Sequence, residues 1–130
     1  MQIVIDSSAI LAVLLHEPER EALIATTATS VLIGPGSIPW EVGNALIAGC
    51  RRKRLTIEQV SAAWTSFEAI PMRFIDVDVL RALHLAAKYG LYAYDAYVLE
   101  AAASRRAPLL TLDRGLIQAA IRAGVTMVEI

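Results

Sequence analysis

A single cysteine, Cys50, excludes an internal disulfide and with it the cross-linked frameworks of small secreted domains. No apolar run reaches the ~18 to 20 residues that a membrane-spanning helix requires. The opening MQIVIDSSAI lacks the basic start and long apolar stretch of a secretory signal. These absences predict a soluble, cytoplasmic protein with no membrane partner. Charge of one sign is also missing: twelve basic and thirteen acidic residues leave a formal net charge of -1. That excludes both an overall basic field for polyanions and a disordered acidic chain. Any contact with nucleic acid must come from local patches. His16 and His84 lack metal-ligand spacing, and Cys50 carries no signature of a nucleophile. GPGS, residues 34–37, is not followed by Gly-Lys-Ser/Thr, which excludes a P-loop.

What is present is apolar. A hydrophobic content of 56% in 130 residues suffices for one compact domain spanning 1–130. QIVID (2–6) reads as a strand buried on both faces, and SSAILAVLLH follows it with helical spacing. A second helix is expected over 17–28, then a strand at SVLIG, a helix from Pro39 to Arg52, and an amphipathic helix after Thr56. MRFIDV is read as a strand, DVLRALHLAAKYG as a helix closed by Gly90, and Tyr94 to Arg105 as another helix. The strand PLLTL, the helix GLIQAAIRAG and a terminal strand VTMVEI complete the chain. Alternating strands and helices, with strands too apolar for a clean period of two, predict a three-layer α/β/α fold around a mostly parallel sheet.

In such a sheet the strand C-termini and the following helix N-termini face one crevice, where ligands bind. Asp6 ends the first strand, Asp113 follows LLTL, Asp95 heads a helix, and Glu41 lies in the first turn of another. Taken singly, each is explained as a helix cap or dipole partner. Together they are acidic at every junction, and clustered carboxylates repel unless a cation or a proton intervenes. Oxygen-only donors suit Mg²⁺ or Mn²⁺ rather than zinc. The metal reading requires all four to converge on one pocket. Ser7, Asn44 and Thr111 are second-tier candidates: Ser7 and Ser8 follow Asp6, Asn44 is one turn after Glu41, and Thr111 shares a strand face with Asp113.

IVIDSSAI, PWEVGNAL, LYAYDAYVLEAA and LLTLD resemble, in order and spacing, the four acidic motifs of the PIN-domain ribonucleases, and more narrowly those of VapC-type toxins. The resemblance spans essentially the whole chain. It implies that Asp6, Glu41, Asp95 and Asp113 are metal-binding catalytic acids, with Ser7 or Thr111 as polar neighbours. It implies RNA hydrolysis leaving 5′-phosphate and 3′-hydroxyl ends, a homodimer, and an antitoxin that places an arginine among the acids. Some relatives carry a further acid after the last motif, where this chain has Arg114 and Gly115.

Cations for RNA are densest at RRKR, so Arg51, Arg52 and Arg54 are candidate contacts, together with Arg114 beside Asp113. A helix C-terminus explains the RRKR run equally well. Tyr92, Tyr94 and Tyr97 are read as core or interface and carry no assigned role, while Trp40, Ile47, Trp64 and Phe67 offer apolar surface for a partner. Two rival readings remain. One is a non-catalytic scaffold of the same fold, using its acids as caps. The other is an aspartyl phosphatase built on Asp76 and Asp78 in FIDVDV, where either residue also serves as a helix cap.

Overall fold

A computed structural model describes all residues, Met1–Ile130. Its elements are β1 (Gln2–Ile5), α1 (Ser7–Leu14), α2 (Arg20–Thr27), β2 (Val31–Pro35), α3 (Ile38–Arg51), α4 (Ile57–Glu68), β3 (Met72–Ile75), α5 (Val79–Tyr89), α6 (Ala93–Arg105), β4 (Leu109–Leu110) and α7 (Arg114–Arg122). The strands form one sheet in the order β3-β2-β1-β4, every pair parallel. The α/β architecture expected from the alternating pattern is therefore present, with seven helices flanking a parallel sheet.

β1 is buried because it lies between two strands under helices, so Ile3 and Val4 are fully inaccessible. α6 packs across β1 and β2. It buries Ala96, Val98, Leu99, Ala101 and Ala102, and its small side chains let the helix approach the sheet closely. Each large apolar side chain sealed in this way contributes about 1.5 to 3 kcal/mol. The chain runs outward from β1 through β2 to β3, then returns to lay β4 on the other side of β1. The β1–β4 boundary is thus the switch point, where parallel sheets open a crevice at their C-terminal edge.

Three expectations are corrected. VTMVEI forms no strand, only a single parallel bridge between Leu109 and Met127. β4 has just two residues, and only Leu109 exchanges hydrogen bonds with the C-terminal segment, donating to Thr126 O and accepting from Val128 N. PLLTL is shortened because side chains capture its amides: Leu112 N donates to Ser8 Oγ at 3.0 Å, and Asp113 N to Thr111 Oγ1 at 3.0 Å. α2 begins at Arg20 rather than residue 17, since Pro18 disfavours helical backbone at Glu17.

Local caps set the other boundaries. Thr56 and Gln59 form a reciprocal capping box: Gln59 N donates to Thr56 Oγ1 at 3.1 Å, and Thr56 N to Gln59 Oε1 at 2.8 Å. Thr56→Ala is expected to lower stability by about 1 kcal/mol, read as a reduced urea midpoint at unchanged slope. Asp78 Oδ1 accepts from Arg81 N at 3.0 Å, so this member of the D-x-D pair caps α5.

Candidate active site

The register β1–β4 pairs Val4 with Leu109 and Ile5 with Leu110, and Asp6 N continues it by donating to Leu110 O at 3.3 Å. One step further Asp6 meets Thr111. Thr111 Oγ1 donates to Asp6 Oδ2 at 2.5 Å while accepting from the Asp113 amide, so one hydroxyl connects two of the acids. Ser8 Oγ donates to Asp6 Oδ1 at 2.7 Å, and the Ala9 amide donates to the same oxygen at 3.2 Å, capping α1. Asp6 is only 4% exposed. Burial raises its pKa above the usual carboxylate range against the pull of the Thr111, Ser8 and Ala9 hydrogen bonds, and the Asp113 charge adds to the rise.

Glu41 is set by the first turn of α3, where Pro39 presets helical backbone. Its Oε2 accepts from Ser37 Oγ at 3.0 Å and its Oε1 from Ser7 Oγ at 3.4 Å. Burial pushes the Glu41 pKa up to about 7, the Ser37 and Ser7 hydrogen bonds oppose the shift, and the charges of Asp6 and Asp95 reinforce it. Asp95 differs from its expected role as a cap. The N-cap of α6 is Tyr92, Asp95 lies in the first turn, and no side-chain bond caps the helix. Burial, followed by the charges of Asp113 and Asp6, raises its pKa to about 6. Asp113 does cap, accepting from Leu116 N at 3.0 Å at the start of α7. Asp6, Glu41, Asp95 and Asp113 therefore share one electrostatic neighbourhood, within which each raised pKa includes the charge of another member.

The sequence and the fold both have counterparts among known proteins. The family model for the PIN domain matches residues 3–122. The chain belongs to the PIN-domain family. It is 32% identical over 123 residues to Ribonuclease VapC3 of Pyrobaculum aerophilum, covering 91% of this chain and 94% of that protein, and so falls with the VapC-type ribonucleases. The crystal structure of PAE2754 from Pyrobaculum aerophilum superposes with a TM-score of 0.72 at 23% identity, covering 92% of this chain and 79% of that one. The structure of VapBC2 from Rickettsia felis, bound to a DNA fragment from their promoter, gives 0.69 at 14% identity and 98% coverage of both chains. At these identities the structural likeness concerns the fold.

In this PIN domain the all-oxygen donor set suits a hard divalent cation. The four acids do not form a closed cage, and no three carboxylate, imidazole or thiol groups stand close enough to make a ready ligand cluster. Hydrogen bonds explain part of that openness, because both oxygens of Asp6 and both of Glu41 are engaged by hydroxyls or an amide. Asp95 alone accepts no hydrogen bond.

The second-tier residues divide. Thr111 is central, Ser7 reaches Glu41 rather than Asp6, and Asn44 lines a pocket of about 290 Å³ with Ser7, Trp40, Glu41, Ala45 and Tyr94. Sequence reading underrated Ser8 and missed Ser37. The four-residue spacing of Ser37 and Glu41 at a helix start was the available signal. Arg51, Arg52 and Arg54 are exposed but cluster at the C-terminal end of α3, roughly 15 Å along its axis from Glu41. Arg114 is exposed and adjoins Asp113 at the start of α7. Of the apolar residues read as interface, Phe67 is buried at 6% exposure with Trp64 packed on it at 5.1 Å, whereas Trp40 at 73% is open.

Proposed function

We propose that this PIN domain is a Mg²⁺- or Mn²⁺-dependent endoribonuclease, acting in the cytoplasm as the toxin of a toxin–antitoxin pair, with Asp6, Glu41, Asp95 and Asp113 as its catalytic, metal-holding acids. The observation that carries this reading is Asp95: it caps nothing, accepts no hydrogen bond, and is raised to a pKa of about 6 by burial and by the acids around it. A scaffold using acids as caps accounts for Asp6 and Asp113; Glu41 and Asp95 lie in first turns that suit a dipole partner, but burial raises both pKa values, a cost that a solvated dipole partner does not bear. When bound at these acids, the cation supplies Lewis acidity that activates water and offsets the negative charge around the phosphodiester. The chain's own part is orientation. Thr111 and Ser8 lock both Asp6 oxygens, Ser7 and Ser37 lock those of Glu41, and Asp95 keeps its oxygens free. Arg114 is placed to meet a phosphate of the RNA.

The family likeness supports an antitoxin as the protein partner, whose arginine would pair with the acids and exclude the cation. It also supports a homodimer, for which exposed Val79, Leu80 and Leu83 on α5 provide apolar surface. No helix is long and apolar enough to cross a membrane. The decisive test incubates the purified protein with total cellular RNA in Mg²⁺, in Mn²⁺ and in chelator, then maps the new ends. Cleavage confined to the metal samples, leaving 5′-phosphates, is the expected result. A folded protein that neither gains thermal stability on metal addition nor cuts RNA would be a scaffold instead.

A further inference from the structure

The pocket beside Glu41 has an aromatic side chain from each of two helices. Trp40 precedes Glu41 on α3 and Tyr94 precedes Asp95 on α6, so two of the four acids have a ring immediately before them in the chain. Both line the same pocket with Ser7, Glu41 and Asn44. Trp40 is 73% exposed and Tyr94 52%, whereas Phe67 is buried. Tyr94 is not loose: Tyr97 meets it edge-on, with ring centroids 5.9 Å apart and planes at 83°. Of the two readings given to these tyrosines, core or interface, exposure excludes core for Tyr94 and for Tyr92, which is 86% exposed.

Resting on the nuclease reading, we infer that Trp40 and Tyr94 stack on the nucleobase that flanks the scissile phosphate. In a polynucleotide each phosphate has a base one sugar away, so a phosphate held at the acids carries a base to the adjoining pocket. Aromatic faces beside a phosphate site are how unpaired RNA is gripped, because every base has a π-face and a paired base cannot present it. Asn44, exposed in the same pocket, offers an amide donor and acceptor to the base edge. An apolar segment of a protein partner fits less well, since Ser7, Glu41 and Asn44 make half of the lining polar. Trp40 also borders an apolar groove toward Val60 and Trp64, which makes that partner the outcome to exclude.

The test uses the full chain with Mg²⁺ or Mn²⁺ and an unpaired oligoribonucleotide containing a mapped cut, alongside versions in which one abasic ribose is moved along the strand. For the wild type, the abasic residue next to the cut is expected to lower kcat/KM by roughly 5- to 150-fold, the range for losing one stacked base. Trp40→Ala and Tyr94→Ala should lower cleavage of the intact strand by a similar factor and become indifferent to that abasic position. Trp40→Phe should recover most of the rate and of the sensitivity. Annealing a complementary strand should suppress cleavage by the wild type. The inference is overturned if the alanine variants cut the intact strand normally, or if they keep the full abasic penalty. Normal cutting combined with weakened inhibition by the antitoxin would assign the rings to the protein partner. A wild type that cuts no RNA in either metal overturns the nuclease reading itself, whereas wild-type cutting matched by the alanine variants on the intact strand overturns this inference alone.

Discussion

Asp95→Asn should reduce metal-dependent RNA cleavage on the order of 10³-fold while the protein stays folded. The size follows from losing one negative donor to a cation that stabilises transition-state charge by several kcal/mol, at tenfold per 1.36 kcal/mol. The fold survives because Asp95 makes no cap and accepts no hydrogen bond that asparagine would break. Asp6→Asn should give a comparable loss. Asparagine keeps Oδ1 for the Ala9 amide and the Ser8 hydroxyl, so charge is removed and the cap retained, while its amide nitrogen replaces the oxygen that accepted from Thr111. Asp6→Ala confounds the two, because it also forfeits a cap worth about 1 kcal/mol. Initial cleavage rates with circular dichroism melts on the same samples check both variants. Undiminished turnover by a folded Asp6→Asn/Asp95→Asn double variant would remove these acids from the mechanism.

Without metal, stability should fall as pH rises from about 4 to about 7. Glu41 and Asp95 have folded pKa values of about 7 and about 6, above the ordinary values of 4.5 and 3.8. The folded state therefore holds protons that the unfolded chain releases between those limits, and raising pH through the window favours unfolding. Both side chains are partly open to solvent, which screens the effect to about 1 to 2 kcal/mol for each acid. Asp95→Asn should raise the melting temperature of the metal-free protein at pH 8 by about 3 to 8 °C. At pH 4, where Asp95 is protonated in the wild type, the gain should vanish. Mg²⁺ or Mn²⁺ should stabilise the wild type more than the variant. A wild type whose metal-free melting temperature is flat from pH 4 to 8 would contradict the clustering of acids.

Much of the site was legible because its signals are local. IVI is β-branched and apolar, which fits a central strand, and the acid after it must then lie at a sheet edge. Glu41 shows its place through Pro39 two residues earlier. The identity of each hydroxyl's partner was not legible, because it depends on strands distant in sequence: Ser8 reaches β4 and Ser7 reaches α3. The fate of VTMVEI was equally hidden, since a strand exists only if its neighbour is long enough to pair with it. RRKR was legible as a helix C-terminus, but its distance from Glu41 follows only from the fourteen-residue length of α3, which separates the two ends by roughly 20 Å. Trp40 and Tyr94 sit within helical patterns that also suit burial, and only packing reveals which apolar rings stay outside.

The Thr111 hydroxyl turns the alignment of two strands into a gauge for chemistry. It touches the Asp6 carboxylate on one side and the Asp113 backbone on the other, so sliding β4 by one residue would displace both acids and also swap the face of the sheet on which each β4 side chain packs. Insertions between residues 106 and 110 should consequently be tolerated far less than insertions of equal length near Lys53, where the chain turns through exposed backbone far from the crevice.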